Sequence, residues 1–116
     1  MLLLDVRRAD EFAVSRIRGA VRADPDLTAD EFARMFAGAL KEKELVFYCS
    51  VGYRSSILLE RVQQQALEAG AVSLANLRGG IFRWYNERRP LHDGTGKVDT
   101  VHRYDAFWGR LLKKDD

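Results

Sequence analysis

Cysteine, proline and histidine are scarce in this chain of 116 residues, which has one cysteine, two prolines and two histidines. A single cysteine excludes an intrachain disulfide, and a lone thiol in so short a chain is typical of a reducing compartment. The histidines, His92 and His102, lie ten positions apart with no cysteine nearby. We therefore expect a cytoplasmic protein in which both histidines are solvated and bind no metal.

Long hydrophobic runs are also missing. The apolar stretch at the N-terminus, Leu2 to Leu4, is followed at once by Asp5, so no segment reaches signal-peptide or membrane-spanning length. Neither sign of charge dominates, because 19 basic and 17 acidic residues give a net charge of +2 and the signs alternate along the chain. These absences predict no membrane association, and the net charge selects no class of partner.

The residues that are present form the pattern of one α/β domain. Hydrophobic residues make up 47% and charged residues 31% of the chain, as in ordinary globular proteins. Short apolar runs that predict strands alternate with segments of helical spacing, which favours a mostly parallel sheet with helices on both faces. The predicted strands are Leu2–Val6, Ala20–Ala23, Leu45–Cys49 and Val72–Leu77.

Helix boundaries are indicated by capping residues. Thr28 and Glu31 have the spacing of a capping box, and Ser55 or Ser56 can begin the helix that Gly70 ends. A third, short helix is expected over Ile81–Arg89, before Pro90. The apolar stripes of the first two helices are Phe32, Met35, Phe36, Ala39 and Leu40, and Leu58, Val62, Ala66 and Ala69.

The last quarter of the chain is divided by turn-forming residues. Asp93, Gly94 and Gly96 predict a surface linker over residues 91–100 between a domain of residues 1–90 and a C-terminal extension, 101–116. The extension has the spacing of an amphipathic helix, and we expect it to pack on its own domain rather than on a second chain. Its apolar face comprises Val101, Tyr104, Phe107, Trp108, Leu111 and Leu112.

The most informative feature is the order of strand, Cys49, short loop and helix. Parallel sheets bind ligands at the carboxyl ends of their strands, and Cys49 follows an apolar run at such an end. The N-terminus of the next helix favours anions and thiolates, while Gly52 lets the loop amides turn inward and Arg54 adds positive charge. These residue types point to a nucleophilic cysteine in an anion-binding loop, in preference to a buried structural thiol.

Four stretches of the sequence resemble one family in order and spacing. They are LLLDVRRADEF at 2–12, IRGAV at 17–21, CSVGYRS at 49–55 and NLRGGIFRW at 76–84. Together they resemble the rhodanese-like sulfurtransferases over roughly residues 2–90. The resemblance implies a three-layer rhodanese fold in which Cys49 carries a sulfane sulfur as a persulfide. The loop amides expected to hold that sulfur belong to Ser50, Val51, Gly52, Tyr53, Arg54 and Ser55.

The expected reaction is sulfur transfer without a metal or organic cofactor. Thiolate Cys49 attacks the outer sulfur of an anionic donor such as thiosulfate, and a thiol, cyanide or a protein acceptor then removes that sulfur. The sequence departs from the family at Ser15 and Arg16, where a small residue and a histidine are usual. It also begins directly at the LLLDV strand, so either a preceding strand and helix are missing or the C-terminal helix provides their cover.

Three other interpretations of these residues are open. A thiol phosphatase or arsenate reductase also uses a cysteine and an arginine at a helix N-terminus, but its loop is one residue longer than the four residues between Cys49 and Arg54. A persulfide carrier or regulatory module for a protein partner would keep the same cysteine. A nucleic-acid surface could be formed by Arg83, Trp84, Tyr85, Arg88 and Arg89, for which a solvated helix face is the simpler explanation.

Overall fold

The computed structural model describes residues 1–98, which form a central sheet flanked by helices and followed by a small hairpin. The strands are β1 (Leu2–Asp5), β2 (Val21–Arg22), β3 (Glu44–Tyr48), β4 (Ser73–Asn76), β5 (Leu91–His92) and β6 (Lys97–Val98). The helices are α1 (Ala9–Val14), α2 (Ala29–Met35), α3 (Tyr53–Glu68) and α4 (Gly80–Asn86).

The central sheet is parallel and has the order β2-β1-β3-β4. Each of its strands starts and ends within one residue of a predicted strand. The register pairs Asp5 with Tyr48 and Phe47 with Asn76, so the carboxyl ends of β1, β3 and β4 meet at one edge. Cys49 follows β3 directly and therefore lies at the edge where parallel sheets bind ligands.

Helices cover both faces of the sheet, which confirms the predicted α/β architecture. On one face, Phe47 of β3 packs in a core with Phe32 of α2 and Leu58 of α3. On the other face, Tyr48 packs in a second core with Ile81 of α4. Neighbouring residues of β3 point to opposite faces because side chains alternate along a strand, and both cores hold β3 in place.

A buried ion pair joins the ends of β1 and β3. The Arg7 guanidinium donates two hydrogen bonds of 2.7 Å to the Asp5 carboxylate, and both side chains are fully buried. The Tyr48 hydroxyl donates to Asp5 Oδ2 at 2.6 Å and accepts the Ile17 N–H at 3.1 Å. Burial and the Asp5 carboxylate raise the pKa of Tyr48, so the hydroxyl keeps its proton and remains a donor.

The start of α3 differs from the prediction. Its N-cap is Gly52, with a left-handed φ of 102°, and the helix begins at Tyr53 rather than after Ser55 or Ser56. Only glycine adopts this conformation without strain, so the chain turns from the loop into the helix three residues earlier. Tyr53, Arg54 and Ser55 consequently belong to the first turn of α3.

The apolar stripes of α2 and α3 are narrower than expected. The capping box of Thr28 and Glu31 is present as predicted, but α2 ends at Met35 and the helical period does not extend to Ala39. Buried residues of this stretch are Phe32, Phe36 and Leu40. Three residues expected in the two stripes are exposed instead, namely Met35, Ala39 and Ala69. The helix predicted over Ile81–Arg89 is α4, which ends earlier, at Asn86.

The predicted linker contains a hairpin. Strands β5 and β6 pair antiparallel, and Leu91 is only 1% exposed. The backbones of Arg16 and His92 also exchange hydrogen bonds of 2.7 and 2.9 Å, so the buried leucine and this pairing hold the segment against the domain rather than leaving it as a surface crossing. The rest of the linker, 99–100, and the predicted helix over 101–116 lie outside the described residues.

No helix within residues 1–98 is long and apolar enough to cross a membrane.

Two substitutions on α2 test its inward face. Phe32→Ala should lower the free energy of unfolding by about 3–5 kcal/mol, because it leaves a cavity between α2 and the sheet. Met35→Ala, on the same helix, should change it by less than about 0.5 kcal/mol, because Met35 is 62% exposed. Urea unfolding of both variants measures the difference, and equal losses would contradict the assigned helix face.

Candidate active site

The Cys49 thiol lies at the base of the loop that joins β3 to α3. Its side chain is 1% exposed and packs at the end of the core between the sheet and α3. Burial alone is equally typical of a structural cysteine. The groups that surround its sulfur therefore decide what this thiol can do.

Three hydrogen-bond donors lie within reach of Cys49 Sγ. The backbone N–H of Gly52 is 3.2 Å from the sulfur, and the N–H and Oγ of Ser55 are each 3.4 Å away. Both N–H groups belong to the N-terminal end of α3, where the helix leaves its amides without intrahelical partners. These two N–H groups therefore point their positive ends at the Cys49 sulfur.

Asn76, at the carboxyl end of β4, orients these donors. Its side-chain oxygen accepts the Ser55 hydroxyl at 2.5 Å, and its Nδ2 donates to the Gly52 carbonyl at 3.0 Å. The hydroxyl has one proton, which the shorter contact assigns to Asn76. The two backbone N–H groups therefore remain the principal donors to Cys49 Sγ.

The start of α4 holds the loop from the other side. The N–H groups of Ile81 and Phe82 donate to the carbonyls of Cys49 and Ser50 at 2.8 and 2.9 Å. A Cβ atom at Gly80 would overlap both carbonyl oxygens, so this close approach requires glycine. With these carbonyls bound to α4, the loop is fixed at its start as well as at Gly52.

Arg54 is paired with Glu11 instead of presenting an open positive charge. Its guanidinium donates to both Glu11 oxygens, at 2.7 and 3.0 Å, and to Ser50 Oγ at 2.8 Å. Glu11 is fully buried. Burial would raise the pKa of this carboxyl, but the hydrogen bonds from Arg54 and from the Arg8 N–H outweigh it and hold the pKa below its usual value.

The predicted loop residues therefore fall into three groups. Cys49, Gly52 and Ser55 form the sulfur site, while Ser50 and Arg54 join the cluster with Glu11. Val51 is half-buried against the second core, and Tyr53 lies on the surface with 66% of its side chain exposed.

Two residues of the site were missed at the sequence level. Glu11 stands in the LLLDVRRADEF stretch, four residues after Arg7, and its spacing gives no sign that it faces the loop. Asn76 could have been found, because it is a polar residue at the carboxyl end of the strand beside β3 and shares the ligand-binding edge with Cys49.

The arginine-rich face of α4 is separate from this loop. Arg83 and Arg89 both contact Glu87, at 3.2 and 3.0 Å, and the Arg89 guanidinium lies 5.3 Å from the Trp84 ring centroid. A cavity of about 290 Å3 lies between α4 and the hairpin. Its lining residues are Tyr85, Arg88, Arg89, Pro90, Leu91, Lys97 and Val98.

Within the described part of the chain, no group of three or more histidine, cysteine, aspartate or glutamate side chains could hold a metal ion.

A parallel sheet with a cysteine loop between its third strand and the following helix defines the class of this domain. The sequence profile of the Rhodanese-like domain family matches residues 1–87. The chain therefore belongs to the rhodanese-like domain family.

A curated relative of this chain is named for a different activity. The chain is 32% identical over 113 residues to a tRNA uridine(34) hydroxylase of Kocuria rhizophila, which covers 92% of this chain and 36% of that protein. It thus spans about a third of the length of this curated relative.

Solved structures show the same fold at lower sequence identity. The BH2092 protein of Bacillus halodurans has a TM-score of 0.69 at 18% identity, covering 95% of this chain and 75% of the other. A thiosulfate sulfurtransferase of Pseudomonas aeruginosa has a TM-score of 0.59 at 19% identity, covering 95% of this chain and 20% of the other.

The Glu11–Arg54 pair makes the stability of the domain depend on pH. Because folding lowers the pKa of Glu11 from its usual 4.5, its contribution is fully present above that value and is lost as the pH falls through the lower pKa of the folded state. Glu11→Gln should therefore lower the free energy of unfolding by about 3 kcal/mol at neutral pH. The difference from wild type should shrink progressively in acid.

Urea unfolding between neutral and acidic pH measures this difference. Asp10→Asn is the matched control, since it removes an exposed carboxylate of the same helix and should change the free energy of unfolding by less than about 0.5 kcal/mol. A gap between wild type and Glu11→Gln that stays constant with pH would refute the pairing.

Proposed function

We propose that this domain is a sulfurtransferase in which Cys49 carries sulfur as a persulfide. The thiolate attacks the outer sulfur of a donor such as thiosulfate, a sulfur–sulfur bond forms at Cys49, and the bond to the sulfonate sulfur breaks to release sulfite. A thiol or cyanide then takes the outer sulfur and regenerates the thiolate. The observation that carries this proposal is the convergence of the Gly52 and Ser55 N–H groups on Cys49 Sγ.

These N–H groups supply the electrostatic stabilisation that the reaction needs. Negative charge lies on Sγ before the attack and on the sulfur beside it afterwards, and backbone donors that are already in position stabilise it without reorganisation. Family membership adds to this argument, because sulfur transfer is the activity that the resemblance implies. We place the reaction in the cytoplasm, where reducing conditions keep a lone thiol available.

Access to the sulfur requires the loop to open slightly, because Cys49 is almost fully buried. Val51 follows Ser50 in the loop, and the exposed Tyr53 begins the first turn of α3. A small displacement of this part of the loop would admit a slender donor, while α4 and Asn76 hold the loop through its carbonyls.

A persulfide carrier that serves a protein partner uses the same chemistry with a different acceptor.

A phosphatase-like reaction fits less well, because the Arg54 guanidinium is bound to Glu11 and Ser50 and would have to leave both to bind a phosphate. Rates measured with a thiol acceptor and with a phosphate ester distinguish sulfur transfer from phosphatase activity.

The Kocuria rhizophila relative favours a second candidate function. Because that protein is named as a tRNA uridine(34) hydroxylase, this domain could serve a tRNA-modifying reaction in which Cys49 takes part. Mass spectrometry of tRNA from cells with wild-type or Cys49→Ser protein tests this, since a role for Cys49 requires that the modified uridine be lost with the thiol.

Cys49→Ser should abolish sulfur transfer, because a hydroxyl cannot form the persulfide. After incubation with thiosulfate, intact-mass spectrometry should show the gain of one sulfur atom in wild-type protein and none in the variant. Ser56→Ala is the matched control, because the exposed Ser56 hydroxyl donates to the Tyr53 carbonyl and does not approach the sulfur; it should load normally. Wild-type protein that never gains sulfur would rule out the mechanism.

A further inference from the structure

The charge around the sulfur site is balanced by residues outside the loop. Segment 49–55 contains one cationic side chain, Arg54, and Glu11 binds its guanidinium through both carboxylate oxygens. Arg8 also approaches Glu11 at 3.6 Å, but its side chain is more than half exposed and it contacts Asp10 as well. Water screens the exposed pair of Arg8 and Asp10, so the charge beside the loop is set by Arg54 and Glu11, which cancel each other.

The charges of Arg54 and Glu11 cancel because the two side chains are paired away from water. The Arg54 side chain is 15% exposed and Glu11 is fully buried, so water screens the two charges from each other only weakly. A donor that approaches Cys49 meets the N–H groups of the loop, while the charge of Arg54 is already matched by the Glu11 carboxylate. The site thus offers dipoles rather than a net positive charge.

Donors differ in how much charge they bring to such a site. Thiosulfate is a dianion whose sulfonate lies one bond from the sulfur that is attacked, so its reaction with a thiolate gathers three negative charges in a small volume. A small organic persulfide, R–S–SH, carries at most one charge at its sulfur end. Its chain of two sulfurs and a carbon is also narrower than a sulfonate, which suits a thiol that is 1% exposed.

We propose that Glu11 sets the donor preference of this site by neutralising Arg54, and that the preferred sulfur donor is a small organic persulfide rather than thiosulfate. This inference rests on the proposed sulfurtransferase function and specifies its donor. In the transfer, Cys49 S⁻ attacks the outer sulfur of R–S–SH, a Cys49 S–S bond forms, and the donor's S–S bond breaks. The products are Cys49–S–SH and the thiolate R–S⁻, so atoms and charge balance.

Glu11 acts here as a positioning residue that works through Arg54. It holds the guanidinium against Ser50 and sets the charge that a donor encounters. Glu11→Gln keeps the size of the side chain but leaves the charge of Arg54 uncompensated beside the loop, and this extra positive charge should favour the dianionic donor selectively.

The experiment compares two donors on the same protein. Persulfide loading of Cys49 is followed by intact mass with thiosulfate and with hydroxyethyl persulfide, in wild type, Glu11→Gln and the control Asp10→Asn. Wild type should load faster from hydroxyethyl persulfide. In Glu11→Gln, the ratio of kcat/KM for thiosulfate to that for hydroxyethyl persulfide should rise about tenfold, and the thiosulfate rate should fall with added salt. Asp10→Asn should keep the wild-type ratio.

Several results would overturn the inference. A wild-type protein that loads from thiosulfate as fast as from hydroxyethyl persulfide contradicts it, even if Glu11→Gln does not fold. An unchanged donor ratio in folded Glu11→Gln, or an equal shift in Asp10→Asn, also contradicts it. If neither donor loads Cys49 in wild type, the proposed sulfurtransferase function itself fails, and this outcome is distinct from a thiosulfate preference.

Discussion

The buried ion pair of Asp5 and Arg7 is the interaction on which the ligand-binding edge depends. Charges without solvent must be paired and hydrogen-bonded. Besides each other, Asp5 binds the Tyr48 hydroxyl of β3 and Arg7 binds the Ser15 carbonyl after α1. Burial would lower the pKa of Arg7, but the hydrogen bond and charge of Asp5 outweigh it and raise the pKa above its usual value. Arg7 therefore stays charged, and Asp5 fixes the end of β3 through the Tyr48 hydroxyl, after which Cys49 follows directly.

The Glu11–Arg54 pair extends this arrangement to the cysteine loop. Helix α1 begins two residues after Arg7, so the position of Arg7 also determines where Glu11 lies. The loop is then held by α1 through Arg54, by α4 through the Cys49 and Ser50 carbonyls, and by β4 through Asn76. Contacts from three elements keep the N–H groups directed at the sulfur, which is the preorganisation that the proposed sulfur transfer requires.

Much of the fold follows from local sequence signals. The four strands of the central sheet and the capping box of Thr28 and Glu31 were predictable because their signals lie within a few residues of one another. The start of α3 and the hairpin that begins at Leu91 were not predictable, because the left-handed conformation of Gly52 and the burial of Leu91 depend on tertiary contacts. Met35 was misassigned because helical spacing indicates a face but not how wide that face is.

The candidate site also combines features that the local sequence predicts with features that depend on tertiary contacts. The sequence by itself determined that Cys49 lies at the end of a buried apolar run, that Gly52 permits the turn and that a helix follows, because each is a property of one short segment. Only the tertiary structure decided that Glu11 neutralises Arg54 and that Asn76 takes the Ser55 hydroxyl. These contacts join residues 43 and 21 positions apart. Charge balance and hydrogen-bond direction depend on distances in space, and the packing of both faces of the sheet sets those distances.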